Sequence, residues 1–155
     1  MSRVVTIANG TASASIDSLG AQLTSLKLGD REYLWQGDSR WWGKHAPVLF
    51  PIVGTLRDGH AMSAQGEVTL GRHGFARDVE HEVVAQDESS VTFEIRDTPQ
   101  TREKFPYAFR LNMTYALTGE ASLTQTFRVE NTGDVTLPFS VGGHPAFNRH
   151  DDVVA

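Results

Sequence analysis

Six histidines and no cysteines set the chemistry open to this 155-residue chain. Without thiols there is no disulfide, no thiolate nucleophile and no Cys-ligated zinc, so any reaction must run through His, Asp, Glu, Arg or Tyr. The histidines, at 45, 60, 73, 81, 144 and 150, show no HxH or HxxxH pair and no acidic residue at a ligand-like interval. That spacing argues against a compact metal site. His81 and His150 stand among Glu80, Glu82, Asp151 and Asp152 and read as solvated surface residues. His73 and His144 have other company. In RHGFARD (Arg72 to Asp78) and GGHPAFN (Gly142 to Asn148) each histidine adjoins a glycine, with a phenylalanine two or three residues on.

Glycine permits positive φ or a close backbone approach, and Pro145 stiffens the turn after His144, so each ring can be held rigidly at a strand end. Imidazole, with an ordinary pKa of about 6.5, gives or takes a proton near neutrality. For either segment alone the alternative is a structural histidine bonded to a backbone carbonyl. Two such segments, a guanidinium such as Arg77 and nearby aromatic surfaces together suit a polar, neutral, ring-shaped ligand, and a sugar is the natural candidate. Arg77, next to Asp78, equally fits a salt bridge. Trp35, Trp41 and Trp42 could stack on a sugar, but Trp in a β-rich chain more often lies in the core, where these are expected.

The elements that must position these groups are strands. VVTIA (Val4 to Ala8), LTSLKL (Leu23 to Leu28), EYLW (Glu32 to Trp35), VTFEIR (Val91 to Arg96), FRLNMTYAL (Phe109 to Leu117), SLTQTFRVE (Ser122 to Glu130) and LPFSVG (Leu137 to Gly142) are short runs rich in β-branched, aromatic and aliphatic residues. In SLTQTFRVE the residues Leu123, Gln125, Phe127 and Val129 share one parity and Thr124, Thr126 and Arg128 the other, which predicts a half-buried strand. Asn9-Gly10, Gly29-Asp30, Asp58-Gly59, Thr118-Gly119-Glu120 and Asn131-Thr132-Gly133-Asp134 supply chain reversals. The last two flank SLTQTFRVE and predict an antiparallel meander. Only DTPQTREKF reads as helical, with Asp97 or Thr98 as cap, Pro99 at the first position and Pro106 as stop. The Gly-, Pro- and Trp-rich stretch from Gln36 to Gly71 is expected to form long loops, where function tends to sit in β folds. The fold class is therefore antiparallel all-β, a sandwich or barrel.

Composition agrees with one globular domain over residues 1–155: 39% hydrophobic, 21% charged, without a linker or repeat. The net charge of -5 and the scattered Lys and Arg residues give no footprint for nucleic acid or anionic lipid. The start lacks a signal-peptide core and APVLFPIV is too short to span a bilayer, so no membrane partner and a cytoplasmic location are expected.

In order along the chain, HAPVLFPIVGTLRDG (His45 to Gly59), RHGFARD and FPYAFRLNMTYALTGEASLTQTFRVENTGDVTLPFSVGGHPAFN (Phe105 to Asn148) resemble the aldose 1-epimerases, the galactose mutarotase-like family. The likeness is strongest to a bacterial branch with LFP, HGFAR and GGHPAF signatures, near the hexose-6-phosphate 1-epimerases. It implies an antiparallel β-sandwich of the supersandwich type, with a sugar cleft on one sheet. It also implies a reaction without metal or organic cofactor, the interconversion of α and β hexose anomers by ring opening. A base takes the anomeric hydroxyl proton while an acid protonates the ring oxygen; the aldehyde then turns and the ring recloses. The paired transfers avoid a free alkoxide.

Matched by motif, His144 takes the place of the family's acid and His73 that of the histidine that binds and polarises the sugar near its ring oxygen. Arg77, Arg57 and Asn148 are the substrate-binding candidates. In many relatives an arginine follows the glycine of the LFP segment; here Thr55 stands there and Arg57 two residues later. Family members are much longer, and this chain resembles their N-terminal half. The family's base is a carboxylate near the C-terminus, so no residue here is assigned that role. An incomplete sandwich would leave unpaired strands and favour self-association. A non-catalytic carbohydrate-binding module, or an inactive fragment, is the alternative reading.

Overall fold

The computed structural model describes residues 2–149. Two four-stranded antiparallel sheets enclose the core. The first runs β1 (Val4–Asn9), β2 (Ala12–Asp17), β3 (Gln22–Leu28) and β4 (Arg31–Glu32), paired in chain order. The second has β8 (Glu82–Gln86), β9 (Ser90–Arg96), β10 (Phe109–Leu117) and β11 (Leu123–Asn131), again in chain order with β11 at one edge. A hairpin of β6 (His60–Ser63) and β7 (Gly66–Thr69), and a short pair of β5 (Val48–Leu49) with β12 (Gly142–Gly143), complete the strands. Among the described residues no helix is long and apolar enough to cross a membrane.

Period-two alternation decides which side chains meet between the sheets. Val91, Phe93 and Ile95 of β9 and Phe109, Leu111, Met113, Tyr115 and Leu117 of β10 point inward, against Val5 and Ile7 of β1 and Ala14 and Ile16 of β2. Burying each of the larger ones contributes about 1.5–3 kcal/mol. On β11 the predicted parity holds, but Leu123, Gln125, Phe127 and Val129 are only half-buried, because no further strand pairs with that edge among the described residues. Tyr115 ties the sheets together: its hydroxyl donates to the Ala21 carbonyl (2.6 Å) and accepts from Gln125 (2.9 Å). Burial pushes this phenol well above its ordinary value.

Several expectations need correction. LPFSVG is not a strand; only Gly142 and Gly143 pair there, because Pro138 and the irregular run after Asn131 deny the segment a ladder partner. EYLW shrinks to Arg31–Glu32 and a single bridge between Leu34 and Phe147. The stretch from Gln36 to Gly71 is not all loop, since it holds β5, β6, β7 and a 3-10 turn at Arg57–Gly59. The Ala- and Ser-rich β2 carries few β-favouring residues, yet Ala12, Ala14 and Ile16 alternate inward. The helix Pro99–Lys104 forms as expected, capped by Thr98 rather than Asp97, whose carboxylate instead takes Arg102 and the Phe109 amide. None of the three tryptophans joins the core: Trp41 is 80% exposed and Trp35 and Trp42 are half-buried, because a turn and irregular chain rather than a strand carry them.

His81 is likewise not a surface residue. It is 1% exposed, with its main-chain amide on the Ser18 carbonyl and Nδ1 on the Val79 carbonyl, while Nε2 is buried without a partner. His150 lies outside the described residues. Burial pushes the His81 imidazole down to about 4, against which its bond to Val79 and the charge of Glu80 work without prevailing. Above the unfolded value of about 6.5 the residue is neutral in both states and its full stability is present. Between that and the folded value the unfolded chain takes up a proton that the folded one refuses, so stability falls on acidification, by roughly 3 kcal/mol across the window. Urea unfolding should show a loss from pH 7 to pH 5 about 2 kcal/mol larger in the native chain than in His81→Leu. Equal losses in the two proteins would show that His81 does not titrate this way.

Candidate active site

The site is built around one extended segment, residues 45–51, to which two others are fastened. On one side the His144 amide donates to the Pro47 carbonyl (3.1 Å), the Ala146 amide to that of His45 (3.0 Å), and Gly142 and Gly143 pair with Leu49 and Val48. On the other side the Phe75 and Ala76 amides share the Phe50 carbonyl (3.0 and 3.1 Å). The Phe50–Pro51 peptide is cis. HAPVLFP thus serves as the rail on which RHGFARD and GGHPAFN are mounted, although those two segments lie far apart along the chain.

The mounting demands glycine where it appears. Gly74 has φ 71, and a β-carbon on it would overlap the Phe50 carbonyl. His73 is itself at φ 70, a conformation that a non-glycine residue adopts only when its surroundings enforce it. Here the His73 amide donates to the Gly54 carbonyl (2.9 Å) and Nδ1 bonds the Val53 carbonyl. With Nδ1 carrying the proton toward that carbonyl, Nε2 is left as the free ring nitrogen. A β-carbon on Gly143 would point at Gln125 and Phe127 of β11, at 3.4 and 3.5 Å, so this glycine sets the second histidine's segment beside the half-buried face of the sheet.

The result is that the two imidazoles face each other, ring centroids 6.0 Å apart and planes tilted by 50°. His144 is exposed and touches a third ring, Trp42, at 5.3 Å. His73 is half-buried and His144 exposed, so the pair stands on an open face, and the clefts beside Tyr33 and Phe147 (about 300 Å³) and beside Ile52 and Phe139 (about 280 Å³) are lined by other residues. Among the described residues no Asp or Glu comes within ion-pair distance of either ring, and no cluster of three or more His, Asp or Glu side chains could hold a metal ion.

The other candidates fall in different places. Arg77 stays with His73: its Nη2 donates to the Arg72 carbonyl (3.0 Å), its Nε lies 3.6 Å from Asp78, and that Nε is buried without a hydrogen bond. Arg57 is exposed on the 3-10 turn and its guanidinium bonds no described residue. Asn148 is occupied with backbone, its amide nitrogen donating to the Glu32 and Leu34 carbonyls (3.2 and 2.9 Å) and its main-chain amide to Tyr33 (2.8 Å). Together with the Trp35 amide on the Ala146 carbonyl (2.9 Å), this moors the segment carrying His144 to the first sheet. Asn148→Ala should therefore lower stability by about 1–2 kcal/mol in thermal unfolding. A change within a few tenths would mean that the amide is free for a ligand instead.

An antiparallel two-sheet sandwich that brings two imidazoles from its connecting segments onto one open face has the architecture of the galactose mutarotase-like proteins. The chain belongs to the aldose 1-epimerase family, whose sequence pattern it matches over residues 3–153. It is 38% identical over 151 residues to the plasmid LacX protein of Lactococcus lactis subsp. lactis, a match covering 93% of this chain and 50% of that one. Among solved structures, a galactose mutarotase related enzyme from Lactobacillus acidophilus superimposes with a TM-score of 0.91 at 38% identity, covering 97% of this chain and 50% of the other. A galactose mutarotase-like protein from Lactobacillus casei gives 0.90 at 36%, covering 94% and 50%. The chain spans about half the length of these relatives.

Proposed function

We propose that this chain carries the sugar-binding and acid side of an aldose 1-epimerase, with His144 protonating the ring oxygen of a hexose and His73 holding and polarising the sugar beside it. The observation that carries this reading is the facing pair of imidazoles, 6.0 Å apart, one of them fixed by a backbone carbonyl in a strained conformation. A ring oxygen placed between them can receive a proton from one ring while the other hydrogen-bonds the neighbouring hydroxyl. Arg77 reaches the sugar or its phosphate by way of the His73 loop, and Arg57 from the exposed turn. Asn148 acts mainly by mooring the His144 segment. In this reading the protein works in the cytoplasm on a hexose or hexose phosphate, without metal or organic cofactor.

Polarimetry on freshly dissolved α-D-glucose, α-D-galactose and glucose 6-phosphate tests the catalytic reading. An unaccelerated approach to the equilibrium rotation with all three would end it. A second reading, a sugar-binding module without turnover, is favoured by one observation, the absence of a carboxylate partner at either ring among the described residues. Calorimetry showing sugar binding with no polarimetric effect would select it. The half-buried inner face of β11 and its edge, unpaired among the described residues, support self-association of the chain, which sedimentation velocity would register as a dimer or larger species.

A further inference from the structure

The ring cluster on the open face has a third member that the pairing of histidines does not use. Trp42 sits 5.3 Å from His144 by ring centroid, with the planes tilted by 47°. Its position is built rather than incidental. The Trp35 indole N–H donates to the Trp42 carbonyl (2.8 Å), the Trp42 amide donates to the Asp38 carbonyl (2.9 Å), and the Trp35 amide is fastened to Ala146, two residues after His144. The turn carrying Trp42 and the segment carrying His144 are thus tied to the same short stretch of backbone. Trp42 is half-buried, leaving part of its ring accessible, and its indole N–H makes no hydrogen bond to a described residue.

An accessible aromatic face with a free N–H donor at its rim is what the C–H-bearing face and rim hydroxyls of a pyranose require. We propose that Trp42 is a sugar-contacting, specificity-determining residue: its indole forms the wall against which the hexose ring lies, beside His144. This rests on the sugar-site reading above. The neighbouring Trp41, 80% exposed, has no ring contact among the described residues and serves as the control.

The test combines a measurement without sugar and one with it. In the absence of ligand, Trp42→Ala should displace the His144 ring-proton NMR resonances through loss of the indole ring current, and Trp41→Ala should not. With D-glucose and D-galactose as probes, Trp42→Ala should weaken binding, or raise KM, by about tenfold with a smaller effect on kcat, while Trp42→Phe stays within about threefold and Trp41→Ala is unchanged. A native chain that binds neither of these sugars nor glucose 6-phosphate overturns the sugar-site reading together with this proposal. A native chain that binds, alongside a Trp42→Ala variant that binds equally well, overturns the proposal alone. Unmoved His144 resonances in Trp42→Ala would remove the ring contact on which it stands.

Discussion

Gly74→Ala is expected to destabilise the protein by about 3–5 kcal/mol, a large share of the roughly 5–15 kcal/mol that holds an ordinary domain folded. Two costs add. At φ 71 any residue with a β-carbon loses about 1–2 kcal/mol relative to glycine. The second cost is steric, because the new methyl would overlap the carbonyl carbon and oxygen of Phe50 and approach Pro51 N to 2.7 Å. These are backbone atoms of the rail itself and cannot swing aside as a flexible side chain would. Relief requires moving residues 73–76 away from residue 50, which strains the two bonds from Phe75 and Ala76 to that one carbonyl. Gly10→Ala separates the two costs: Gly10 has φ 59, and a methyl group there would meet nothing within 4 Å, so it should lose only the conformational part, about 1–2 kcal/mol. Equal losses for the two variants in urea unfolding would show that the close approach to Phe50 carries no energy.

The same close approach explains what is legible in the sequence and what is not. The alternation in β9, β10 and β11 is a local property, written in consecutive residues, and it is readable as far as the half-buried parity of Leu123, Phe127 and Val129. The glycines beside His73 and His144 also mark their segments, since a backbone that needs positive φ or contact distance leaves its trace in residue type. Composition cannot show that both segments bond the same rail, because that depends on pairing between residues far apart in the chain. Family motifs point to a shared site for the two histidines; geometry alone gives the distance between them. His81 misleads for a related reason: its charged neighbours Glu80 and Glu82 are exposed while it turns inward between them, as extended backbone requires. Trp42 is the least legible. Nothing in GDSRWWGK separates the tryptophan that packs on His144 from the adjacent one that faces solvent; the difference goes with long-range bonds, those of Trp35 to the Trp42 and Ala146 carbonyls.

If His144 is the proposed general acid, replacing it by glutamine should reduce the polarimetric rate constant by roughly a hundredfold to ten-thousandfold, the range for removing such a group, while leaving the fold intact. The second half of that expectation gives the first its meaning. His144 is exposed, and its segment is held by the main-chain amide on Pro47, which glutamine keeps. Stability should therefore change by less than about 0.5 kcal/mol, as for surface substitutions. Glutamine can still donate a hydrogen bond, but its amide cannot surrender a proton near neutrality, so it preserves contact with a ring oxygen and removes only the transfer. kcat should fall much further than KM rises. His73→Gln should differ in kind: the ring at φ 70 is held by Val53, and its loss loosens the loop as well as the sugar contact, so KM and kcat should both suffer. If both rings act on one sugar, the double variant should be little slower than His144→Gln alone, because groups that work as a unit are not additive. Strictly multiplicative losses would mean that the two imidazoles act independently, and a His144→Gln chain within about threefold of the native rate would remove His144 from the chemistry.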